Sequence, residues 1–401
     1  MKYVVFLGDG MADFAVKELG NKTPLEVAKK PNIDFLASKG TMGMIKTVPD
    51  GMKPGSDVAN LGAMGFDPQE YYTGRSPLEA VSVGIDLDDS DITFRVNLVT
   101  LSDDENYEDK TMIDYSSDEI TTEEAAELIN DIAKQLDTDI YKFYPGFSYR
   151  HVLVWNGGHT DFQLTPPHDI TGKKVAEYLP KGKDSHVLLD FMKKSCEILK
   201  DHPVNKKRIE RGLRPASSIW VWGEGKKAVL PEFEKMRGVK GAVVSAVDLI
   251  KGIGISAKMT CAEVEGATGN IHTNFEGKAE AAINLLKDHD FVYIHVEAPD
   301  ECGHRGEVEN KVKSIEIIDQ KIVGPVLNYL NSLNEDYKAL VMPDHPTPLE
   351  LMTHVADPVP FIVFQKSKQM DENTKVYTEE NCKKSGIYYE NGYKLMDDFI
   401  D

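Results

Sequence analysis

Three short, largely apolar segments, each closely followed by an aspartate, constrain the fold of this chain more than any other feature. The segments are 3–7, 292–296 and 339–342, and the aspartates are Asp9, Asp300 and Asp344. Short apolar runs bounded by glycine or proline are typical of buried strands. Because the carboxyl ends of parallel strands meet at one edge of an α/β sheet, we expect the three carboxylates to lie close together. The sequence therefore predicts an α/β fold with a doubly wound, mostly parallel sheet.

Histidines accompany two of these strand ends. His304 stands four residues after Asp300, so one helical turn would put both side chains on the same face. His345 follows Asp344 directly, and His354 comes a few residues later. Each aspartate alone is more often a helix cap, and each histidine alone is more often a packed side chain. Their recurrence at predicted strand ends favours a site for divalent transition ions.

Ser56 is the candidate nucleophile. It follows Gly55 and precedes an apolar helical pattern, which predicts a serine at a helix N-terminus. An ordinary capping serine is common at such a place. The functional alternative is a hydroxyl activated by a neighbouring metal ion, since a free serine is a weak nucleophile at neutral pH.

Taken together, these motifs resemble the alkaline phosphatase superfamily, and within it the archaeal type of cofactor-independent phosphoglycerate mutase. The likeness covers nearly the whole chain and includes the segments 72–75, 94–97 and 266–269. The resemblance implies an alkaline-phosphatase-like fold and two divalent metal ions, which could be manganese, zinc, cobalt or magnesium. It also implies that Ser56 is transiently phosphorylated. By the resemblance, one ion would be held by Asp9, Ser56, Asp344 and His345, and the other by Asp300, His304 and His354.

Two departures leave the acceptor of the phosphoryl group open. Archaeal-type mutases usually carry paired arginines after the strand that contains Arg95, but the matching segment 112–120 has none. The segment 219–225 resembles a bacterial subgroup proposed to phosphorylate homoserine. The first expectation is therefore a mutase that interconverts 3-phosphoglycerate and 2-phosphoglycerate. An ATP-dependent homoserine kinase and a metal-dependent phosphomonoesterase are the alternatives.

The middle of the chain predicts an inserted domain. Residues 1–75 and 240–401 are expected to form the metal-binding core, and residues 76–239 a smaller α+β domain that binds substrate and acts as a lid. The helices and half-buried strands of the middle segment are unlike the apolar strands of the core. The candidate substrate contacts, some taken from the family segments, are Arg75, Arg95, Arg150, His151, His168, Arg214 and Lys278.

Composition limits the partners. The chain has 401 residues, a net charge of −20 and 41% hydrophobic residues, as expected for a globular enzyme. The negative charge argues against nucleic acid and anionic membranes, but not against a small phosphorylated substrate held by metal ions. The four cysteines lack a C-x-x-C pair and no membrane-spanning run or signal peptide is evident, so we expect a cytoplasmic protein. The sequence leaves the oligomeric state open.

Overall fold

The computed structural model describes residues 1–370 and 375–401, which form two compact units. The core unit comprises Met1–Tyr72 and Val229–Asp401, and the insert unit comprises Thr73–Ala228. The second boundary falls earlier in the chain than the sequence predicts. The reason is that Phe233 already packs in the core unit, with its ring centroid 4.8 Å from that of Phe291.

Strands and helices alternate through the core unit and are mixed in the insert unit. The strands are β1 (Lys2–Gly8), β2 (Thr41–Ile45), β3 (Asp91–Leu101), β4 (Met112–Asp114), β5 (Tyr141–Tyr144), β6 (Arg150–Asn156), β7 (Phe162–Gln163), β8 (Lys181–Gly182), β9 (Ser218–Lys226), β10 (Gly241–Val244), β11 (Thr260–Ala262), β12 (Phe291–Val296), β13 (Tyr337–Met342), β14 (Val359–Gln365) and β15 (Tyr388–Tyr389). The helices are α1 (Pro24–Val27), α2 (Pro31–Lys39), α3 (Ser56–Ala63), α4 (Pro68–Tyr71), α5 (Ser76–Ser82), α6 (Thr122–Leu136), α7 (Ser185–Leu199), α8 (Pro203–Glu210), α9 (Phe233–Arg237), α10 (Asp248–Ser256), α11 (Phe275–Leu285), α12 (Ala298–His304), α13 (Val308–Ile318), α14 (Gly324–Ser332), α15 (Glu379–Lys384) and α16 (Leu395–Ile400). A π-helical turn, Asp319–Val323, joins α13 to α14.

The sheet of the core unit has the strand order β11-β10-β12-β1-β13-β14-β2-β15. The pairs from β11 to β13 are all parallel, β14 runs antiparallel to both β13 and β2, and β2 and β15 are again parallel. Strand β1 lies between β12 and β13, with Leu7 paired to His295 on one side and to Met342 on the other. The three predicted strands are therefore adjacent and end at the same edge of the sheet.

Side chains of β1 and β12 alternate between the two faces of this sheet, and both faces are covered. Val4 and Phe6 belong to a buried apolar cluster that includes residues of α2, α11, α13 and α14. On the opposite face, the hydroxyl of Tyr293 donates a hydrogen bond of 2.7 Å to Asn60 of α3. Helices on both faces of a mostly parallel sheet are the doubly wound α/β arrangement that the sequence predicts, and this prediction is confirmed.

The insert unit is built on an antiparallel sheet. Strand β3 pairs with β4, β6 and β9, and β5 extends the sheet beyond β6. Helices α6 and α7 pack on this sheet through buried residues such as Leu128 and Leu188, which share one apolar cluster with Phe94. The unit is thus of the α+β type.

Candidate metal centre

Two groups of possible ligands lie at the carboxyl edge of the core sheet. Asp9 follows β1, Asp300 lies in α12 just after β12, and Asp344 follows β13. Because these three strands are neighbours in register, their ends bring the three aspartates together. Ligand atoms of Asp9, Asp300 and His345 lie within 4.8 Å of one another.

The first ligand group consists of Asp300, His304 and His354. One carboxylate oxygen of Asp300, Oδ2, is 3.3 Å from His304 Nε2, and the other, Oδ1, is 3.3 Å from His354 Nε2. The two imidazole Nε2 atoms face each other at 2.8 Å. His304 Nδ1 is 3.0 Å from the carbonyl oxygen of Met352, a contact that would keep a proton on Nδ1 when a metal ion replaces the proton on Nε2.

Electrostatics in the first ligand group favour a cation. Burial alone would raise the pKa of Asp300, but its hydrogen bonds to His304 and His354 hold that pKa well below the usual value. The hydrogen bond to Asp300 raises the pKa of His304 to about 9. A carboxylate kept ionised beside two converging imidazoles matches the oxygen and nitrogen ligand set of a divalent transition ion.

The second ligand group consists of Asp9, Asp344, His345 and Ser56. His345 Nε2 lies 3.2 Å from Ser56 Oγ, 3.4 Å from Asp344 Oδ2 and 3.5 Å from Asp9 Oδ1. Both aspartates and His345 are fully buried. Burial and the neighbouring carboxylates of Asp344 and Asp300 raise the pKa of Asp9 well above its usual value.

One buried oxygen of the second ligand group accepts no hydrogen bond from the described part of the chain. Asp9 Oδ1 has no hydrogen-bond donor among the described residues. An unsatisfied buried carboxylate oxygen is costly, and a bound cation would satisfy it. The residues present therefore fit a metal ion at this position as well.

Ser56 is the first residue of α3, and its carbonyl group is tied to the second ligand group. Asn60 Nδ2 donates to the carbonyl oxygen of Ser56 and to Asp344 Oδ2, both at 2.8 Å. Tyr293 in turn fixes Asn60 by donating to its Oδ1. The start of α3 is thus held against the strand end that carries Asp344.

Sequence reasoning missed a pair of polar residues behind Asp9. His295 Nε2 lies 2.8 Å from Asp9 Oδ2, and His295 Nδ1 lies 3.1 Å from Ser245 Oγ. Burial lowers the pKa of His295 to about 3, so its ring is neutral and orients Asp9 through one hydrogen bond. The available signal was a histidine inside an otherwise apolar strand.

Three of the predicted substrate contacts form a basic cluster in the insert unit. Arg75 Nε and Arg95 Nε approach the two carboxylate oxygens of Glu79, at 2.7 and 2.9 Å. The guanidinium carbon of Arg95 lies 4.2 Å from the ring centroid of Trp222, a cation–π contact. Burial alone would raise the pKa of Glu79, but the positive charges of Arg95, Arg75 and Arg150 lower it. Two guanidinium groups thus contact this carboxylate, and a third is near enough to act on its charge.

His168 lies beside this arginine cluster. Its ring centroid is 5.5 Å from that of Trp222, and burial lowers its pKa. Arg214 is placed differently, because its guanidinium pairs with Asp114 at 3.0 Å and Asp118 at 3.2 Å. His151 is buried and its Nδ1 accepts from the backbone N–H of Gly146 at 3.0 Å.

Lys278 belongs to the core unit and is fully buried. Its Nζ donates to the carbonyl oxygen of His295 at 3.3 Å, next to the second ligand group. Burial lowers the pKa of Lys278 to about 8. Among the described residues, no helix is long and apolar enough to cross a membrane.

Comparisons with known proteins agree on one family. Residues 37–205 match the family model of 2,3-bisphosphoglycerate-independent phosphoglycerate mutase. The chain is 47% identical to a probable mutase of that name from Geobacter sulfurreducens, over the whole of both chains. It is 48% identical to the mutase of Methanosarcina barkeri, with 96% of each chain covered.

Two solved structures match the complete chain. A protein from Pyrococcus horikoshii is 31% identical with a TM-score of 0.81, and the match covers 100% of this chain and 97% of that one. The cofactor-independent phosphoglycerate mutase from Thermoplasma acidophilum is 26% identical with a TM-score of 0.67, and the match covers 100% of this chain and 99% of that one.

Proposed function

The chain belongs to the 2,3-bisphosphoglycerate-independent phosphoglycerate mutase family, and on that premise we propose that it interconverts 3-phosphoglycerate and 2-phosphoglycerate. The observation that carries the proposal is the position of Ser56. Its hydroxyl oxygen lies 3.2 Å from His345 Nε2, at the start of α3 and beside buried carboxylates of the second ligand group. A serine that served only as part of a helix N-terminus would have no reason to lie beside a histidine and carboxylates that can bind a metal ion.

The two ligand groups would hold two divalent ions, of manganese, zinc, cobalt or magnesium. When bound, such ions neutralise phosphate charge and favour the ionised form of a serine hydroxyl. The first ion is assigned to Asp300, His304 and His354. The second is assigned to Asp9, Ser56, Asp344 and His345. The backbone N–H groups at the start of α3 favour an anion in the same place.

In the proposed reaction, Ser56 Oγ attacks the phosphorus of 3-phosphoglycerate and the bond to the 3-oxygen of glycerate breaks. The serine hydroxyl loses a proton and the glycerate oxygen gains one, so phosphoserine and glycerate result. The 2-hydroxyl of the same glycerate then attacks phosphoserine and releases Ser56. Positioning and charge compensation are what this chemistry requires of the protein.

Glycerate must be retained between the two transfers, because otherwise water would take the phosphoryl group. We assign this retention to the arginine cluster of the insert unit, since guanidinium groups bind carboxylates in a fixed geometry. Arg150 is the best placed to bind an anion. It has no ion pair in the described part of the chain, whereas Arg75 and Arg95 already contact Glu79.

Phosphorus NMR of the metal-loaded protein with 3-phosphoglycerate, and no added bisphosphoglycerate, tests the proposal. The expected product is 2-phosphoglycerate. Release of inorganic phosphate alone would identify a phosphomonoesterase. Formation of phosphohomoserine from ATP and homoserine would identify the kinase alternative, which no described contact favours.

Ser56→Ala is expected to abolish the transfer. Ser185→Ala is the matched control, because Ser185 is also the first residue of a helix but belongs to α7 in the insert unit. Full activity of Ser56→Ala would refute the nucleophile assignment. We further propose that the enzyme is cytoplasmic, since its four cysteines are free thiols.

A further inference from the structure

Thr347 lies between the two ligand groups, outside the set predicted from the sequence. Its side chain is fully buried. The hydroxyl donates a short hydrogen bond to Asp300 Oδ1 and lies 3.3 Å from His345 Nδ1. One hydroxyl therefore contacts a member of each ligand group.

A ligand role for His345 Nε2 would determine where the protons lie along this chain of contacts. His345 Nε2 faces Ser56 and the carboxylate of Asp344, so a ligand role requires a free lone pair on Nε2. A neutral imidazole with a free Nε2 carries its proton on Nδ1. Thr347 Oγ1, 3.3 Å away, can accept a hydrogen bond from that N–H while its own hydroxyl donates a hydrogen bond to Asp300 Oδ1.

The surrounding backbone holds the hydroxyl in this position. Gly10 has a φ of +60°, and a Cβ there would come within 2.6 Å of Thr347 Oγ1. A Cβ on Gly303 would lie 2.9 Å from Thr347 Cγ2. Lys311 Nζ donates to the carbonyl oxygen of Thr347 at 2.8 Å. The side chain is thus enclosed on both sides, and its backbone is anchored.

We propose that Thr347 is a positioning residue shared by both metal sites: its hydroxyl fixes the tautomer of His345 and the orientation of Asp300. The two sites consequently depend on the same hydroxyl. This inference rests on the metal-binding part of the proposed function. It concerns the tautomer and orientation of the ligands, not which residue is phosphorylated.

Manganese titration of metal-free protein, with free ion measured by electron paramagnetic resonance, tests the proposal. Thr347→Val keeps the shape of the side chain and removes the hydroxyl. It is expected to weaken binding at both sites by about 10- to 100-fold, the usual cost of losing a hydrogen bond behind a metal ligand. Thr347→Ser keeps the hydroxyl and is expected to restore most of the affinity.

Thr378→Val is the matched control, because Thr378 is a buried threonine whose hydroxyl caps α15. It is expected to lower stability and leave both manganese affinities unchanged. Unchanged affinities in Thr347→Val, a loss at one site only, or an equal loss in Thr347→Ser would each overturn the proposal.

A measurement on the unmutated protein guards against a Thr347→Val variant that does not fold. Nitrogen NMR of zinc-loaded protein labelled at histidine is expected to find His345 protonated on Nδ1. Protonation on Nε2 would overturn the inference. Failure of the wild-type protein to bind metal would overturn the proposed function and this inference with it. Wild-type binding with an unaffected Thr347→Val variant would overturn the inference alone.

Discussion

Replacing Lys311 by methionine is expected to destabilise the core unit strongly. Lys311 and Asp13 form a buried ion pair with Nζ 2.7 Å from Oδ2, and their side chains are 0% and 1% exposed. At an effective dielectric constant of about 20, the attraction at 2.7 Å is about 6 kcal/mol. Removing both charges from water costs several kcal/mol per ion, so the intact pair contributes little net stability.

Breaking the pair has a different cost from replacing it. Lys311→Met leaves the carboxylate of Asp13 buried without its cation, which costs about 3–5 kcal/mol. Asp13 retains the backbone N–H groups of Phe14 and Leu349 as donors, and these satisfy only part of its charge. The Lys311→Met/Asp13→Asn double variant removes the unpaired charge and is expected to recover part of the loss.

Equilibrium urea unfolding of metal-free protein, followed by circular dichroism, measures both changes without a contribution from bound metal. A loss below about 1 kcal/mol for Lys311→Met would refute the reasoning, because a typical surface pair has that value. A double variant less stable than Lys311→Met would also refute it.

Three further outcomes follow from the site geometry. Because burial lowers the pKa of Lys278 to about 8, kcat/KM is expected to fall as pH rises through that value. Lys278→Arg should move this fall in kcat/KM to higher pH. An unchanged pH profile in the variant would show that Lys278 is not the titrating group. Arg150→Met is expected to raise KM for 3-phosphoglycerate by about tenfold, the value of one charge-assisted hydrogen bond, with a smaller effect on kcat; an unchanged KM would exclude Arg150. Gly10→Ala is expected to weaken metal binding, since its Cβ would lie 2.7 Å from Asp300 Oδ1. Gly20 also has a positive φ, of +70°, but nothing lies within 4 Å of its added Cβ, so Gly20→Ala should leave metal binding intact. Equal metal affinities of the two variants would contradict this prediction.

The strand ends were predictable because a parallel sheet places them by simple rules. Apolar runs before Asp9, Asp300 and Asp344 predict buried strands, and parallel strands bring their carboxyl ends together. The spacing of Asp300 and His304 is meaningful because both lie in α12. For these residues, the local sequence pattern is sufficient to predict their position in the fold.

The supporting residues were not predictable in the same way. His295 lies in β12, in which every residue is buried, so the pattern there indicates only burial. Ser245 contacts His295, and Thr347 contacts Asp300, between strand ends that are distant in sequence, so these contacts depend on the register of the sheet. Short polar residues in loops have too many ordinary roles for a single sequence to select one.

For the basic residues of the insert unit, the sequence does not predict which ones pair with acidic side chains nearby. Arg95 and Arg214 are both near strands, yet Arg95 joins the arginine cluster and Arg214 pairs with Asp114 and Asp118. Asp114 also accepts from the backbone N–H groups of Ser116 and Asp118. Arg214 thus supports the turn that contains Asp114 and Asp118.

Anomalous X-ray diffraction from crystals of the manganese-loaded protein tests the central claim most directly. Two peaks are expected in each chain. One should contact Asp300, His304 and His354, and the other Asp9, Asp344 and His345 with Ser56 Oγ in reach. Absence of both peaks, or a second peak far from Ser56 Oγ, would contradict the two-metal serine site on which the proposed reaction depends.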